Sequence, residues 1–407
     1  MADQKIFDYV KIKGSIGLLG NQSSTDNLGN TLPYPSYPNL TTGTAAVFGT
    51  NIYNAAQQAY IANPNLQWET VDAYEFGVEL NAFNNRLHFE GTYFNRTTKN
   101  LMTYVDRSQI GLPPELINGG SIRNWGEEFL ATWNQSLGKD LTISISGNIT
   151  FLQNKVLSLS EELPTGVLIR SKANNGAAES RTQAGYPIGS FFGYIQEGIF
   201  QSYADIIKSP SEASLGAIRP GDMKFKDLDG NGVIDANDRT FIGNPTPDFM
   251  YGTSISVNYK GFSLGIDASG VYGNEIFRIW GSLESPFQRV NYAAFQLDRW
   301  HGAGTSNFVP IVSQQDRVNY NGSTYNIEDG SYFRIRNIQL SYTFSPNTLT
   351  SLHVKGLRIY ANAQNLKTWK NNFGYTAEYG GDATSFGYDE AGGALPVVYT
   401  FGFNATF

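Results

Sequence analysis

The chain has 407 residues, 29 Lys and Arg against 36 Asp and Glu, a formal charge of −7, and no cysteine. An acidic chain without a basic run makes a poor nucleic-acid binder. The missing cysteines exclude disulfide frameworks, zinc knuckles, iron–sulfur ligation and thiol nucleophiles together. Only 16% of residues are charged while Gly (43), Tyr (24) and Phe (26) are high, a composition of ordered rather than disordered chains. No run approaches the roughly 18 apolar residues of a transmembrane helix. The opening Met1-Ala2-Asp3-Gln4-Lys5 lacks the apolar core of a secretory leader, which by itself predicts a cytosolic protein. The remainder of the chain predicts otherwise.

Alternation with period two dominates, and helical periodicity is scarce. Ten strands are predicted, over 9–19, 73–83, 87–96, 126–137, 141–152, 249–258, 262–270, 332–344, 357–366 and 396–407. In the second, Tyr74, Phe76, Val78, Leu80 and Ala82 interleave with Glu75, Gly77, Glu79 and Asn81. In the fifth, Leu141, Ile143, Ile145, Ile149 and Phe151 alternate with Ser, Thr and Asn. Most reach the length of about 9–11 residues that a tilted strand needs to cross a bilayer, whereas soluble strands average about 5 or 6.

The connections alternate too. Those at 83–86, 138–140, 259–261 and after Phe344 are short, and those at 20–69, 97–123, 153–247, 271–331 and 367–395 are long. Outer-membrane barrels sort their loops this way, with short periplasmic turns and long extracellular loops. One face of each strand is apolar and the other is Ser, Thr, Asn, Glu and Gly, suited to a wet lumen. Aromatics stand near strand ends (Tyr9, Trp68, Trp133, Phe249, Tyr259, Phe344), at headgroup level in a barrel. The competing reading is a soluble all-β protein with one wet face.

The last strand places Val397, Tyr399, Phe401, Phe403, Ala405 and Phe407 on one face. Of these, Tyr399, Phe401, Phe403 and the terminal Phe407 look like the signal read by the outer-membrane assembly machinery.

Six segments carry a family resemblance: Asn63-Pro-Asn-Leu-Gln-Trp-Glu69, Phe83-Asn-Asn-Arg-Leu87, Gly185-Tyr-Pro-Ile-Gly-Ser-Phe-Phe-Gly193, Gly221-Asp-Met-Lys-Phe-Lys-Asp-Leu-Asp-Gly-Asn-Gly232, Leu357-Arg-Ile-Tyr-Ala-Asn-Ala-Gln-Asn-Leu366 and the terminal strand. In this order they resemble the C-terminal part of a SusC/RagA-type TonB-dependent outer-membrane transporter of the Bacteroidetes. The resemblance implies an all-β fold, an antiparallel transmembrane β-barrel portion supplying about ten strands of a larger barrel of roughly 22. It implies nutrient uptake of an oligosaccharide or peptide, no enzymatic chemistry, and an outer-membrane location. It also implies a SusD-like surface lipoprotein as partner, and TonB contacted through an N-terminal part and plug not found in these residues. The alternatives are a small self-closing barrel (porin or adhesin) and a secreted glycan-binding β-protein.

Within the long loop 153–247, residues 227–238 fit the twelve-residue calcium-loop template. Asp227, Asp229 and Asn231 hold positions 1, 3 and 5, Gly232 makes the sharp turn, and Val233 offers its carbonyl. Asp235 ligates directly or through water and Asp238 closes the shell, as Asp where the template has Glu. A structural Ca²⁺ clipping the loop is therefore expected, with a solvated acidic turn as the alternative. No catalytic constellation is expected. His88, His301 and His353 are scattered, Glu127-Glu128 and Glu161-Glu162 diverge along a strand, and Glu75 and Glu79 share a lumen face. Trp125, Trp280, Trp300 and Trp369 are assigned to the loops, either stacking on sugars or packing loop against loop.

Overall fold

The computed structural model describes residues 6–21, 24–25, 31–32, 36–37, 40–58, 60–105, 107–163, 167–170, 179–280, 292–312, 318–349, 354–384 and 386–407. Ten strands form one sheet in chain order. They are β1 (Phe7–Asn21), β2 (Glu69–Ala82), β3 (Leu87–Val105), β4 (Glu115–Leu137) and β5 (Leu141–Leu159). The second half is β6 (Phe249–Tyr259), β7 (Phe262–Tyr272), β8 (Tyr332–Thr343), β9 (Gly356–Lys370) and β10 (Val398–Thr406). Every sheet neighbour is a sequence neighbour and every pair is antiparallel. Each predicted strand coincides with one of these.

The short connections are turns whose backbone the sequence had to permit. Between β2 and β3, Phe83, Asn84 and Asn85 all take left-handed φ of 58°, 60° and 56°. Asn tolerates that region through local hydrogen bonding; Phe83 does not, and is held by its N–H donating to the Ile6 carbonyl at 2.9 Å. Asn85 N–H donates to Asp8 Oδ2 at 2.7 Å, so β1 braces the same turn.

Directly opposed residues share a face, so the register separates two environments. One row runs Ile143, Val257, Leu264, Leu340, Ala361, Phe401 across β5 to β10. The adjacent row on the other face runs Ser144, Ser256, Gly265, Gln339, Asn362, Thr400. The apolar face is bare: Ile16 is 93% exposed, Phe401 78% and Ile12 71%. A continuous apolar surface of that extent is a membrane or protein interface, not a solvated one. Among the described residues no helix is long and apolar enough to cross a membrane.

Two expectations change. Strands β3, β4 and β5, at 19, 23 and 19 residues, run well past the predicted boundaries at the long-connection end. Alternation fades there, at Asn100 and Gly119-Gly120, where the ladder shifts register, yet polar side chains hold the pairing together. Asn118 Nδ2 donates to the carbonyls of Gln67 (2.8 Å) and Asn100 (2.9 Å), and Gln67 N–H donates back to Asn118 Oδ1. Extended strands also claim Trp125 and Trp369, which are not loop residues. Second, β1 and β10 do not pair with each other among the described residues, so the sheet is open and the self-closing barrel is not the arrangement found.

The long connections are folded. A hairpin, Leu40–Phe48 with Asn51–Gln58, occupies part of the first. Between β5 and β6, Gln196–Ile199 pairs with Met223–Phe225, and Ser190–Gly193 with Thr240–Gly243. The β7–β8 connection joins the same core, in which Tyr194, Ile199, Met223, Phe225 and Ile234 pack on Val309, Val318 and Tyr325. The β9–β10 connection enters beside it, Tyr388–Asp389 lying parallel to Glu275–Arg278. Three long connections thus make one packed cap over one end of the sheet.

Replacing Ile266, on the bare apolar face of β7, by Lys is expected to cost about 2–4 kcal/mol, the penalty of a cation near the bilayer midplane. Gln339→Lys, on the opposite face, is expected to change stability little. Unfolding in lipid vesicles measures both, and equal losses would refute the assignment of the two faces.

Candidate functional site

The polar face carries charge where β1, β2 and β3 meet. Lys13 Nζ lies 3.3 Å from both Glu79 Oε2 and Glu90 Oε2, and Lys11 reaches Glu79 at 3.9 Å. His88 Nε2 is 3.2 Å from Glu90 Oε1, with Nδ1 2.8 Å from Asn81 Oδ1. Glu75, expected on this face beside Glu79, pairs with Arg96 at 2.8 Å. These groups are mutually satisfied and half-exposed, a wall suited to a water-filled lumen rather than a reaction centre.

The acidic loop stands in the cap. Gly230 and Gly232 take φ of 73° and 82°, a region that disfavours residues with a Cβ. These turns fold the chain so that Asp227 accepts from Gly230 N–H on Oδ1 (2.7 Å) and from Gly232 N–H on Oδ2 (2.8 Å). Those N–H groups, Gly232 first, hold the Asp227 carboxyl below its ordinary range. Asn231 Oδ1 accepts from Val233 N–H at 2.7 Å, and Ile234 is fully buried in the cap core. Asp238 is buried and accepts from Leu228 N–H (2.7 Å) and Asp235 N–H (2.8 Å). Asp235 Oδ1 caps the single 3-10 turn Ala236–Asp238 by accepting from Asn237 N–H at 2.7 Å.

Oxygens of Asp227, Asp229 and Asp238 lie within 4.8 Å of one another. Three carboxylates so close repel strongly when ionised, and the backbone N–H groups offset only part of that. Each oxygen engaged by an N–H keeps a second lone pair. The set therefore fits a hard divalent cation that prefers 6–8 oxygen ligands, with Asn231 and the Val233 carbonyl within the same loop.

Behind the loop lies a residue that sequence reasoning missed. Glu212 is 1% exposed; its Oε1 accepts from Phe225 N–H at 2.7 Å, and its Oε2 has no partner. Ser211, beside it, exchanges backbone hydrogen bonds with Gly232 and Ile234, at 2.9 and 2.8 Å, so this segment backs the acidic loop. Burial raises the Glu212 carboxyl to about 8, opposed by the Phe225 N–H and reinforced by the nearby Asp222. Nothing in the local sequence marks Glu212, because its partner is a backbone amide thirteen residues away. Trp300, by contrast, is a packing residue: it lies against the cap core and its Nε1–H donates to Gln201 Oε1 at 3.2 Å. His353 falls outside the described residues.

The sequence matches the family described as TonB dependent receptor-like, beta-barrel over residues 27–366, and the chain belongs to that family of outer-membrane β-barrels. It is 30% identical to TonB-dependent receptor P3 of Formosa agariphila, an alignment covering 100% of this chain and 40% of that protein. It is 24% identical to TonB-dependent receptor SusC of Bacteroides thetaiotaomicron, over 90% of this chain and 35% of the relative. The fold resembles a solved structure titled "Structure of the RagAB peptide transporter" with a TM-score of 0.78, at 20% identity, covering 100% of this chain and 41% of that one. The chain thus spans about two fifths of the length of these relatives. The secreted soluble reading gives way to an outer-membrane one.

Glu212 yields a pH prediction. The unfolded carboxyl loses its proton near 4.5 and the folded one near 8, so between them the unfolded state binds fewer protons. Stability is fully present below the lower value, falls as pH rises through the window, and levels above about 8. Glu212→Gln keeps the acceptor for Phe225 and is expected to flatten that slope, read as the unfolding midpoint of the cap against pH.

Proposed function

We propose that this chain supplies part of the wall and the outer cap of a TonB-dependent importer carrying an oligosaccharide or a peptide across the outer membrane. The carrying observation is the open ten-stranded sheet, apolar outside and polar inside, with its long connections packed as a cap at one end. Family membership supports the importer reading, and the names of the relatives support a surface lipoprotein of SusD type seated on the cap. TonB acts through the portion of such proteins beyond the matched region. Tyr399, Phe401 and Phe403 are exposed on the outer face of β10, with Phe407 just beyond it, where assembly machinery has access to them. No bond is made or broken in this function; the wall confines and the cap selects.

Uptake tests the reading: cells lacking the gene are expected to lose energy-dependent import of at least one labelled oligosaccharide or peptide, with import returning on complementation. Unchanged uptake of every tested substrate would end it.

The acidic loop has a structural part in the proposal. Ca²⁺ held by Asp227, Asp229, Asn231, the Val233 carbonyl and Asp238, with Asp235 assisting, clips the cap segment onto its core. A cation at a hundred times its dissociation constant adds about 2.7 kcal/mol to the state that binds it. Chelation is therefore expected to speed proteolysis within 160–248, and Asp227→Asn to remove the calcium response while leaving the sheet folded. Identical digestion with and without chelator would sink the calcium reading.

A further inference from the structure

On the bare face of β7 to β10, near the short-turn end, lies a groove of about 400 Å³. Its walls are Leu340, Ile359, Phe401 and the rings of Phe262 and Tyr342, whose centres stand 4.5 Å apart. Its floor is Ala361, directly opposed to Leu340 on one side and to Phe401 on the other. All six share the apolar face, since Phe262, Tyr342 and Ile359 form the row two residues from Leu264, Leu340 and Ala361. Strands added at either edge of the sheet would lengthen these rows without covering them. In hydrocarbon, apolar burial does not drive association, so fit and charge decide what lies in such a groove. A hollow over one alanine, between larger side chains, loses dispersion contacts unless something fills it.

The turns at this end supply the charge. Each short connection carries an exposed cation, in order Arg86, Lys139, Lys260 and Lys355. The two that flank the groove, 259–261 and 344–355, contain no Asp or Glu. Neither Lys260 nor Lys355 is ion-paired among the described residues. Lys260 is held on the apolar side of its turn, because its Nζ lies 5.4 Å from the centre of the Tyr259 ring and Tyr259 is paired with Phe262. Lys355 N–H donates to the Thr406 carbonyl at 2.7 Å, which carries the β9–β10 pairing one residue further. Alternation then puts Lys355 in the column of Leu357, Ile359 and Ala361, at the mouth of the groove. One strand separates β7 from β9, roughly 10 Å, a span that two lysine side chains can close around one phosphate. A second copy of this chain, set against the same face at the same depth, would bring like charges together instead.

We propose that this groove is a specific site for an anionic phospholipid of the periplasmic leaflet, one acyl chain lying over Ala361 and the phosphate held by Lys260 and Lys355. The proposal rests on the outer-membrane location and is independent of what the protein imports.

The test is native mass spectrometry of the purified full-length protein, equilibrated with equal amounts of dioleoyl phosphatidylglycerol and dioleoyl phosphatidylcholine. One lysine at an anionic lipid surface is worth about fivefold in affinity, so phosphatidylglycerol is expected to be retained about fivefold or more over phosphatidylcholine. Lys260→Asn, which suits the φ of 46° at that position, combined with Lys355→Gln is expected to erase the preference. Ala361→Phe fills the hollow and is expected to lower retention of both lipids. Should that variant fail to fold, Ala361→Leu fills less of the hollow and is expected to act in the same direction. Equal retention of the two lipids, no retention of either, a preference that survives loss of both lysines, or retention unchanged by filling the hollow would each overturn the site. A dimer that Ala361→Phe dissociates would overturn it in favour of a second copy of the chain.

Discussion

Everything in this molecule depends on where backbone N–H and C=O groups find partners. In hydrocarbon each unpaired group costs several kcal/mol, which leaves antiparallel strands no option but continuous ladders. From β1 to β10 the strands pair without a gap, and the β2–β3 turn is braced by Asp8 of β1, which accepts from Asn85 N–H. The same rule makes the two outer edges significant. Along β1 and β10 one row of backbone groups faces no strand among the described residues, while their side chains are as bare and apolar as those of the interior strands. Edges of that kind are pairing surfaces. The chain spans about two fifths of the length of the relatives it matches.

Outside the membrane the rule is met by different means. The long connections do not form long ladders, yet they bury their backbone, so side chains from one connection serve the amides of another. Asn307 Oδ1 accepts from Ile199 N–H, Asn319 Oδ1 from Met223 N–H, and Thr324 Oγ1 from Gln196 N–H. Each such bond left unmade would cost about 1–3 kcal/mol, so the β5–β6 and β7–β8 connections stabilise each other or neither. Within the β7–β8 connection Arg278 does the same work: almost fully buried, it holds Glu328 at 2.5 Å and lies 4.5 Å from the centre of the Phe295 ring. Segments some fifty residues apart are fixed by one side chain.

That division explains what the sequence could disclose. In the sheet the periodicity of two is a local consequence of two solvents on two faces, so Tyr74 to Ala82 or Leu141 to Phe151 announce themselves without reference to anything distant. The outer extensions of β3 to β5 are already silent, because there buried apolar residues such as Leu116, Ile117, Ile122 and Val156 do not alternate strictly with polar ones, and Asn118 helps to hold the ladder. In the cap the deciding contacts are long-range and single, as between Asn319 and Met223 or between Asn307 and Ile199. No window of sequence contains both members. The acidic loop was legible for the opposite reason, since its geometry is encoded within twelve consecutive residues.

The acidic loop and Glu212 also show one segment handling carboxylates in two contrary ways. Asp227, Asp229 and Asp238 crowd together, with backbone N–H groups turned toward them, so Asp227 stays ionised and the cluster invites positive charge. Glu212, on the other side of the same strand of chain, is sealed from water with one oxygen unpartnered, and there burial wins and the proton stays. The two are separated by little more than Ser211 and the buried Ile234.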